Sequence, residues 1–270
     1  MTKLGQHFLT SKSVAAKMVK AADIDKNDFV LEIGPGKGIL TGEILKKAKK
    51  TIAVEKDAEL FNFLDRKFAE FIKAGRLILI HSDIRDFLKT GASKLKADKI
   101  VANIPYYLTG RLLRLLLNPS SKRSALKAEL YVLMLQKEVS RRIMGRPKMN
   151  LLAVSVQVFA EPKIAFYLSK NYFRPRPKVD SAVIVLKKRV PDFFKENKIS
   201  QKIFFNLVKT GFAHKRKTLS NNLKSYKLQA KSFDQCGISP TARAEDLTLE
   251  NWACLTWESD SQVRKIKIVE

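Results

Sequence analysis

Phe29-Val30-Leu31-Glu32-Ile33-Gly34-Pro35-Gly36-Lys37-Gly38 is the stretch on which the reading of the fold turns. Its first five residues are almost wholly apolar, which predicts a short strand buried on both faces of a sheet. It runs straight into a glycine-rich turn. Glycine lets the backbone take conformations closed to other residues and come close to a ligand. The next segment, Ile39–Lys47, repeats apolar residues at three and four and predicts a helix, whose first N–H groups would face that ligand. The spacing is GxGxG, unlike the GxGxxG of dinucleotide enzymes.

The same alternation extends outward. Thr51–Val54, Leu77–Ile80, Lys99–Ala102 and Leu130–Leu135 predict further strands. Ala58–Ile72, Thr109–Leu117 and Lys137–Met144 predict the helices between them. Strand–helix alternation predicts an α/β fold, with a mostly parallel sheet joined by right-handed crossovers. Ala165–Leu168 and Ala182–Leu186 predict a closing hairpin at the sheet edge. After Lys187-Lys188-Arg189-Val190-Pro191 the pattern turns helical, with helices expected over Ser200–Phe212 and Thr218–Leu228. Residues 1–189 are therefore expected to form an α/β domain and 190–270 a small helical one.

In open α/β sheets, ligands bind beyond the carboxyl ends of the strands. The second strand ends at Glu55, whose carboxylate can accept both hydroxyls of an adenosine ribose. NAD and S-adenosylmethionine both present that ribose, so Glu55 does not separate them. Asp83, after the third strand, can take an adenine amine while Ile84 packs on the ring. It reads equally as the N-cap of the turn that follows.

The fourth strand ends in Ala102-Asn103-Ile104-Pro105-Tyr106-Tyr107. The nitrogen of an adenine amine is a poor nucleophile, because its lone pair is delocalised into the ring. Methylating it needs acceptors that hold its two hydrogens and favour a tetrahedral nitrogen. The Asn103 side-chain oxygen and the Ile104 carbonyl can supply them. Pro105 rigidifies the turn, and Tyr106 offers a stacking ring for an extruded base. Displacement from a sulfonium needs no acid–base pair.

Charge supports a polyanionic partner. The chain has 52 Lys+Arg against 26 Asp+Glu, a net +26. Residues 85–190 hold 23 basic and 6 acidic residues, whereas residues 51–84 hold 5 and 6. A field of that sign favours nucleic acid. Cys236 and Cys254 form no CxxC pair and are expected to be reduced core residues. No apolar run is long enough for a transmembrane helix, and Met1 to Val14 lacks the apolar core of a signal peptide. The expectation is a cytoplasmic protein with no membrane partner and no metal.

Read together, these segments resemble the small-subunit ribosomal RNA adenine dimethyltransferases, the family of the kasugamycin-resistance methyltransferase. The resemblance rests on Leu4-Gly5-Gln6-His7-Phe8-Leu9, Glu32–Gly38, Val54-Glu55-Lys56-Asp57, Ser82-Asp83 and Asn103–Tyr107. It extends to Phe173-Arg174-Pro175-Arg176-Pro177-Lys178-Val179-Asp180-Ser181 and to Phe212–Leu223. It implies a Rossmann-like methyltransferase domain with a small all-helical C-terminal domain. It also implies dimethylation of two adjacent adenosines in a hairpin loop near the 3′ end of small-subunit rRNA, on an immature small ribosomal subunit. Gln6, His7, Leu9, Gly34, Gly36, Gly38, Glu55, Lys56, Asp83, Ile84 and Asn103 would hold S-adenosylmethionine. Asn103, Ile104, Pro105 and Tyr106 would act on the base, with Phe173 stacking opposite Tyr106. Arg111, Arg141, Arg142, Arg174, Lys178, Lys215, Arg216 and Lys217 would bind RNA. His214-Lys215 departs from the more usual arginine-rich form.

The macrolide-resistance methyltransferases of large-subunit rRNA are similar in the glycine and Asn-x-Pro-Tyr loops, but Lys217-Thr218-Leu219 and Asn221-Asn222-Leu223 argue against them. Intact Asn103, Pro105 and Tyr106 argue against a catalytically idle RNA-binding assembly factor. A NAD-dependent oxidoreductase explains neither the charge nor the Asn103 loop.

Overall fold

The computed structural model describes residues 7–90, 96–104, 109–118 and 128–269. The chain divides into two compact units: residues 1–140 with 160–188, and residues 141–159 with 189–270.

The first unit is built on a seven-stranded sheet. Its strands are β2 (Phe29–Ile33), β3 (Lys50–Glu55), β4 (Leu77–His81), β5 (Lys99–Asn103), β6 (Leu130–Gln136), β7 (Ala160–Leu168) and β9 (Ser181–Lys188). The spatial order is β4-β3-β2-β5-β6-β9-β7. The first five are parallel, and β9 runs antiparallel between β6 and β7. The order reverses between β2 and β5, which opens a crevice at their carboxyl ends. Ile33 pairs with Val54 on one side and Ala102 on the other, so the glycine turn, Glu55 and Asn103 emerge side by side. Val30, Leu31, Ile100, Val101, Val132 and Leu133 are fully buried, as strands covered on both faces require.

The expected hairpin is present as β7 and β9; β7 begins five residues earlier than its apolar core suggested, and β9 is longer at both ends. The expected helix over 58–72 is two, Ala58–Lys67 and Ala69–Lys73, broken at Phe68. An N-terminal helix, α1 (Lys12–Ala21), was not foreseen. Ser11 caps it, and it buries Val14, Ala15, Met18 and Val19. A two-stranded ribbon pairs β1 (Phe8–Leu9) with β8 (Phe173–Arg174).

The second unit is helical and draws in residues 141–159, which the expected boundary at 189/190 had assigned to the first domain. Phe159 stacks with Phe194 and Phe205, at 5.7 and 6.0 Å between ring centroids. Lys148 pairs with Glu245 and Asp246 at 2.8 and 3.2 Å. These contacts join segments distant in sequence, which local patterning does not reveal. The expected helix over 218–228 is only a short turn over Leu219–Asn222 and a 3₁₀ segment over Lys224–Tyr226.

Cys236 and Cys254 are not free thiols. They form a disulfide with a Cα–Cα separation of 5.6 Å, within usual bridging distance. Asn251 Nδ2 donates to the Cys236 carbonyl at 2.8 Å, which brings Cys236 to the helix face that carries Cys254.

Candidate active site

The glycine turn is shaped by its backbone. Gly34, Gly36 and Gly38 have φ of +66°, +58° and +74°. A Cβ on Gly34 would meet no atom within 4 Å, so the backbone there lies open to a ligand. Beside it, Glu55 is 4% exposed. Its Oε2 accepts the Gly36 N–H at 3.1 Å, and its Oε1 accepts the Lys56 and Asp57 N–H groups at 2.9 and 3.0 Å. Three backbone donors thus fix the carboxylate and hold the turn to the end of β3.

Two further carboxylates lie close in the fold. Glu32, on β2, is 1% exposed, and its Oε2 has no hydrogen-bond partner. Burial pushes its pKa up to about 8, with the charge of Glu55 adding to the effect. The strand pattern gave no sign of this. Asp83 follows β4, in hydrogen bond with Arg85 and 3.1 Å from Lys56 Nζ. The Arg85 guanidinium holds its carboxyl well below the usual range. Ile84 is 7% exposed beside it.

Asn103 ends β5. Its Nδ2 donates to the His7 carbonyl at 3.1 Å, which fixes the amide plane and turns Oδ1 to the other side. His7 is anchored in turn, its Nδ1 lying 2.7 Å from the Pro175 carbonyl oxygen. Phe8 follows, its ring 3.0 Å from where a Gly36 Cβ would sit. The β1 strand is thus a strap from the Asn103 loop to the glycine turn. Phe8 and Pro175 were in quoted motifs, but no pattern marked them as contacts. Ile104 is buried, and its N–H donates to Met134 at 3.2 Å. Gln6, Pro105 and Tyr106 lie outside the described residues.

Phe173 is a correction. It is 1% exposed and packs in the core with Leu9, Met18 and Leu168, so here its ring offers no face to a base. The ribbon with β1 turns it inward, and a two-residue strand has no periodicity to announce that. Leu9 is likewise a core residue, at 7% exposure.

The basic residues are exposed on both units. Arg111, Arg174 and Lys178 belong to the first. Arg141, Arg142, Lys215, Arg216 and Lys217 belong to the second. The Lys215–Lys217 turn is braced by Asn222, whose Nδ2 donates to the Gly211 and His214 carbonyls at 2.8 and 3.1 Å. Among the described residues, no three His, Cys, Asp or Glu side chains converge as metal ligands, and no helix is long and apolar enough to cross a membrane.

A parallel sheet with this strand order, an open glycine turn, carboxylates at the ends of the next two strands and an asparagine at the fourth define a Rossmann-like methyltransferase that uses S-adenosylmethionine. The open backbone at Gly34 and the buried carboxylate of Glu55 suit an adenosyl cofactor. The model of the ribosomal RNA adenine dimethylase family matches residues 1–258, and the chain belongs to that family. It is an S-adenosylmethionine-dependent rRNA adenine dimethyltransferase.

Among similar proteins, a ribosomal RNA small subunit methyltransferase A from Dehalococcoides mccartyi is 38% identical, covering 93% of this chain and 86% of its own. The protein of that name from Clostridium botulinum is 38% identical over 94% and 91%. A dimethyladenosine transferase from Plasmodium falciparum superposes with a TM-score of 0.76 at 25% identity, over 95% of this chain and 98% of its own. The 23S rRNA methyltransferase ErmE gives 0.73 at 22% identity, over 94% and 99%, and so shares the fold.

Proposed function

We propose that this enzyme dimethylates two adjacent adenosines in the hairpin loop near the 3′ end of small-subunit rRNA, on an immature subunit late in assembly, in the cytoplasm. The observation that carries the chemical part is the amide of Asn103, pinned through Nδ2 so that Oδ1 remains as an acceptor at the crevice. S-adenosylmethionine supplies an electrophilic methyl group on a sulfonium. Gly34 would present its open backbone to it, with Gly36 and Gly38 shaping the turn and Gln6, His7 and the Lys56 main chain at its margins. Glu55, with three of its acceptor directions held by backbone N–H groups, would accept a ribose hydroxyl, and Asp83 and Ile84 would take the adenine. Asn103 Oδ1 and the Ile104 carbonyl would accept the two hydrogens of the target amine and leave its lone pair available to the methyl group. Pro105 and Tyr106, the next two residues, would stiffen the turn and stack on the base. S-adenosylhomocysteine would leave as the methyl is transferred, and the methylated nitrogen would lose its proton to water without a dedicated base.

The choice of small-subunit rRNA is supported by the names of relatives that align along most of their length. Arg111, Arg141, Arg142, Arg174, Lys178, Lys215, Arg216 and Lys217 would grip phosphates. The test is incubation with labelled S-adenosylmethionine and either immature small subunits or large-subunit rRNA, followed by mapping of the methylated nucleotides. Two labelled neighbours in the 3′-terminal hairpin are expected. Label confined to large-subunit rRNA would overturn the assignment.

A further inference from the structure

The adenine end of the cofactor site is already occupied by the protein's own donors. Asp83 Oδ1 accepts the Arg85 backbone N–H and its Nε–H, each at 2.9 Å. Oδ2 accepts Arg85 Nη2 at 2.6 Å and lies 3.1 Å from Lys56 Nζ. A carboxylate offers about four lone-pair directions, and four donors take them. An adenine amine therefore finds no acceptor on Asp83 until one donor withdraws.

The geometry indicates which one goes. Three of the four contacts come from Arg85, as a fork and as the backbone cap of the helix Ile84–Thr90, so releasing them would unseat a helix start. Lys56 makes a single ionic contact to Asp83 from a flexible stem whose side chain is 55% exposed, and water can take over its ammonium. Its main chain sits at the neighbouring subsite, where its N–H donates to Glu55. We infer that the Lys56 ammonium is a stand-in for the adenine amine, held by Asp83 in the cofactor-free enzyme and displaced when the adenosyl group enters, while Arg85 remains as the positioning residue. The inference rests on the reading of Asp83 as the adenine acceptor.

Lys56 then opposes the ligands that use Asp83 and has no effect on those that do not. Calorimetric titration of the full chain tests this with two probes: S-adenosylhomocysteine, and its purine analogue with hydrogen in place of the amine. Lys56→Met is expected to bind S-adenosylhomocysteine about two- to fivefold more tightly, the scale of an exposed ion pair. Affinity for the purine analogue should be unchanged. Lys56→Arg keeps the charge and should return both affinities to those of the parent. Asp83→Ser keeps a helix cap but cannot reach the amine, and should erase the preference for S-adenosylhomocysteine over the analogue. If that preference is erased but Lys56→Met binds S-adenosylhomocysteine no more tightly, the stand-in role is wrong and Asp83 keeps its own. If the preference survives Asp83→Ser, the adenine reading of Asp83 falls and the inference goes with it.

Discussion

Asn103 is where a single residue decides turnover. Asn103→Ala removes the acceptor for the target amine but leaves Glu55, Asp83 and the glycine turn in place. It is expected to lower kcat by about 100- to 1000-fold, the scale of losing one preorganised polar contact in a transition state. S-adenosylhomocysteine affinity should stay within a few-fold of the parent, and calorimetry beside a methylation assay reads both. Glu32 makes a different prediction. Its folded-state pKa stands near 8 against an ordinary 4.5, so between those values the folded protein holds a proton that the unfolded chain does not. Stability should therefore fall as pH rises through that window. Glu32→Gln, which cannot ionise, should escape the loss, and its advantage should grow to a few kcal/mol by pH 8. Urea unfolding at pH 5, 6.5 and 8 measures it; a constant difference would refute it. Sequence marked Glu55 and Asn103 because strand ends in this fold face the ligand. It could not mark Glu32, because an acidic residue within an apolar strand looks alike whether or not its oxygen finds a partner.

At the level of elements, the glycine turn separates two costs that sequence alone runs together. Gly38→Ala would place a Cβ 2.6 Å from Phe68 and 2.8 Å from Leu64, at a φ of +74°. Overpacking and left-handed strain should together cost about 2–4 kcal/mol. Gly34→Ala meets nothing within 4 Å and carries only the strain of its φ of +66°, about 1–2 kcal/mol. It should lose less stability than Gly38→Ala yet bind S-adenosylhomocysteine at least tenfold more weakly, since its new methyl fills the open backbone. Denaturant midpoints and calorimetry on the two variants distinguish the roles; equal losses of stability would contradict the geometry. The five parallel strands were legible because burial on both faces writes them as apolar runs. The β1–β8 ribbon was not, since two-residue strands carry no period, so no pattern in the sequence opposed the resemblance that placed Phe173 at the site, and it is buried in the core.

On the scale of the whole molecule, the +26 net charge sets how binding responds to salt. Replacing Lys215, Arg216 and Lys217 by alanine is expected to weaken binding to small-subunit particles. It should also flatten the logarithmic salt dependence by about 0.7 per phosphate contact if the bound strand is single. Binding measured at several salt concentrations reports the slope, and an unchanged slope would exclude these side chains from the RNA interface. The side chains are exposed and Asn222 braces their turn, so the triple change should fold. The boundary at 189/190 was read from a change of pattern. Residues 141–159 escaped it because their affiliation is written in ring contacts to Phe194 and Phe205, far along the chain.

The position of β9 between β6 and β7 also has a consequence in time. During synthesis β7 emerges before the strand that must flank it, and its place in the finished sheet is not against β6, whose edge belongs to β9. Ala160 has to wait for Lys188, its partner in the register, which at roughly 5–20 residues per second takes on the order of seconds. Through that interval the nascent chain carries a strand with both edges open, and Glu161 and Lys163 stand on it as the charges that discourage a wrong neighbour.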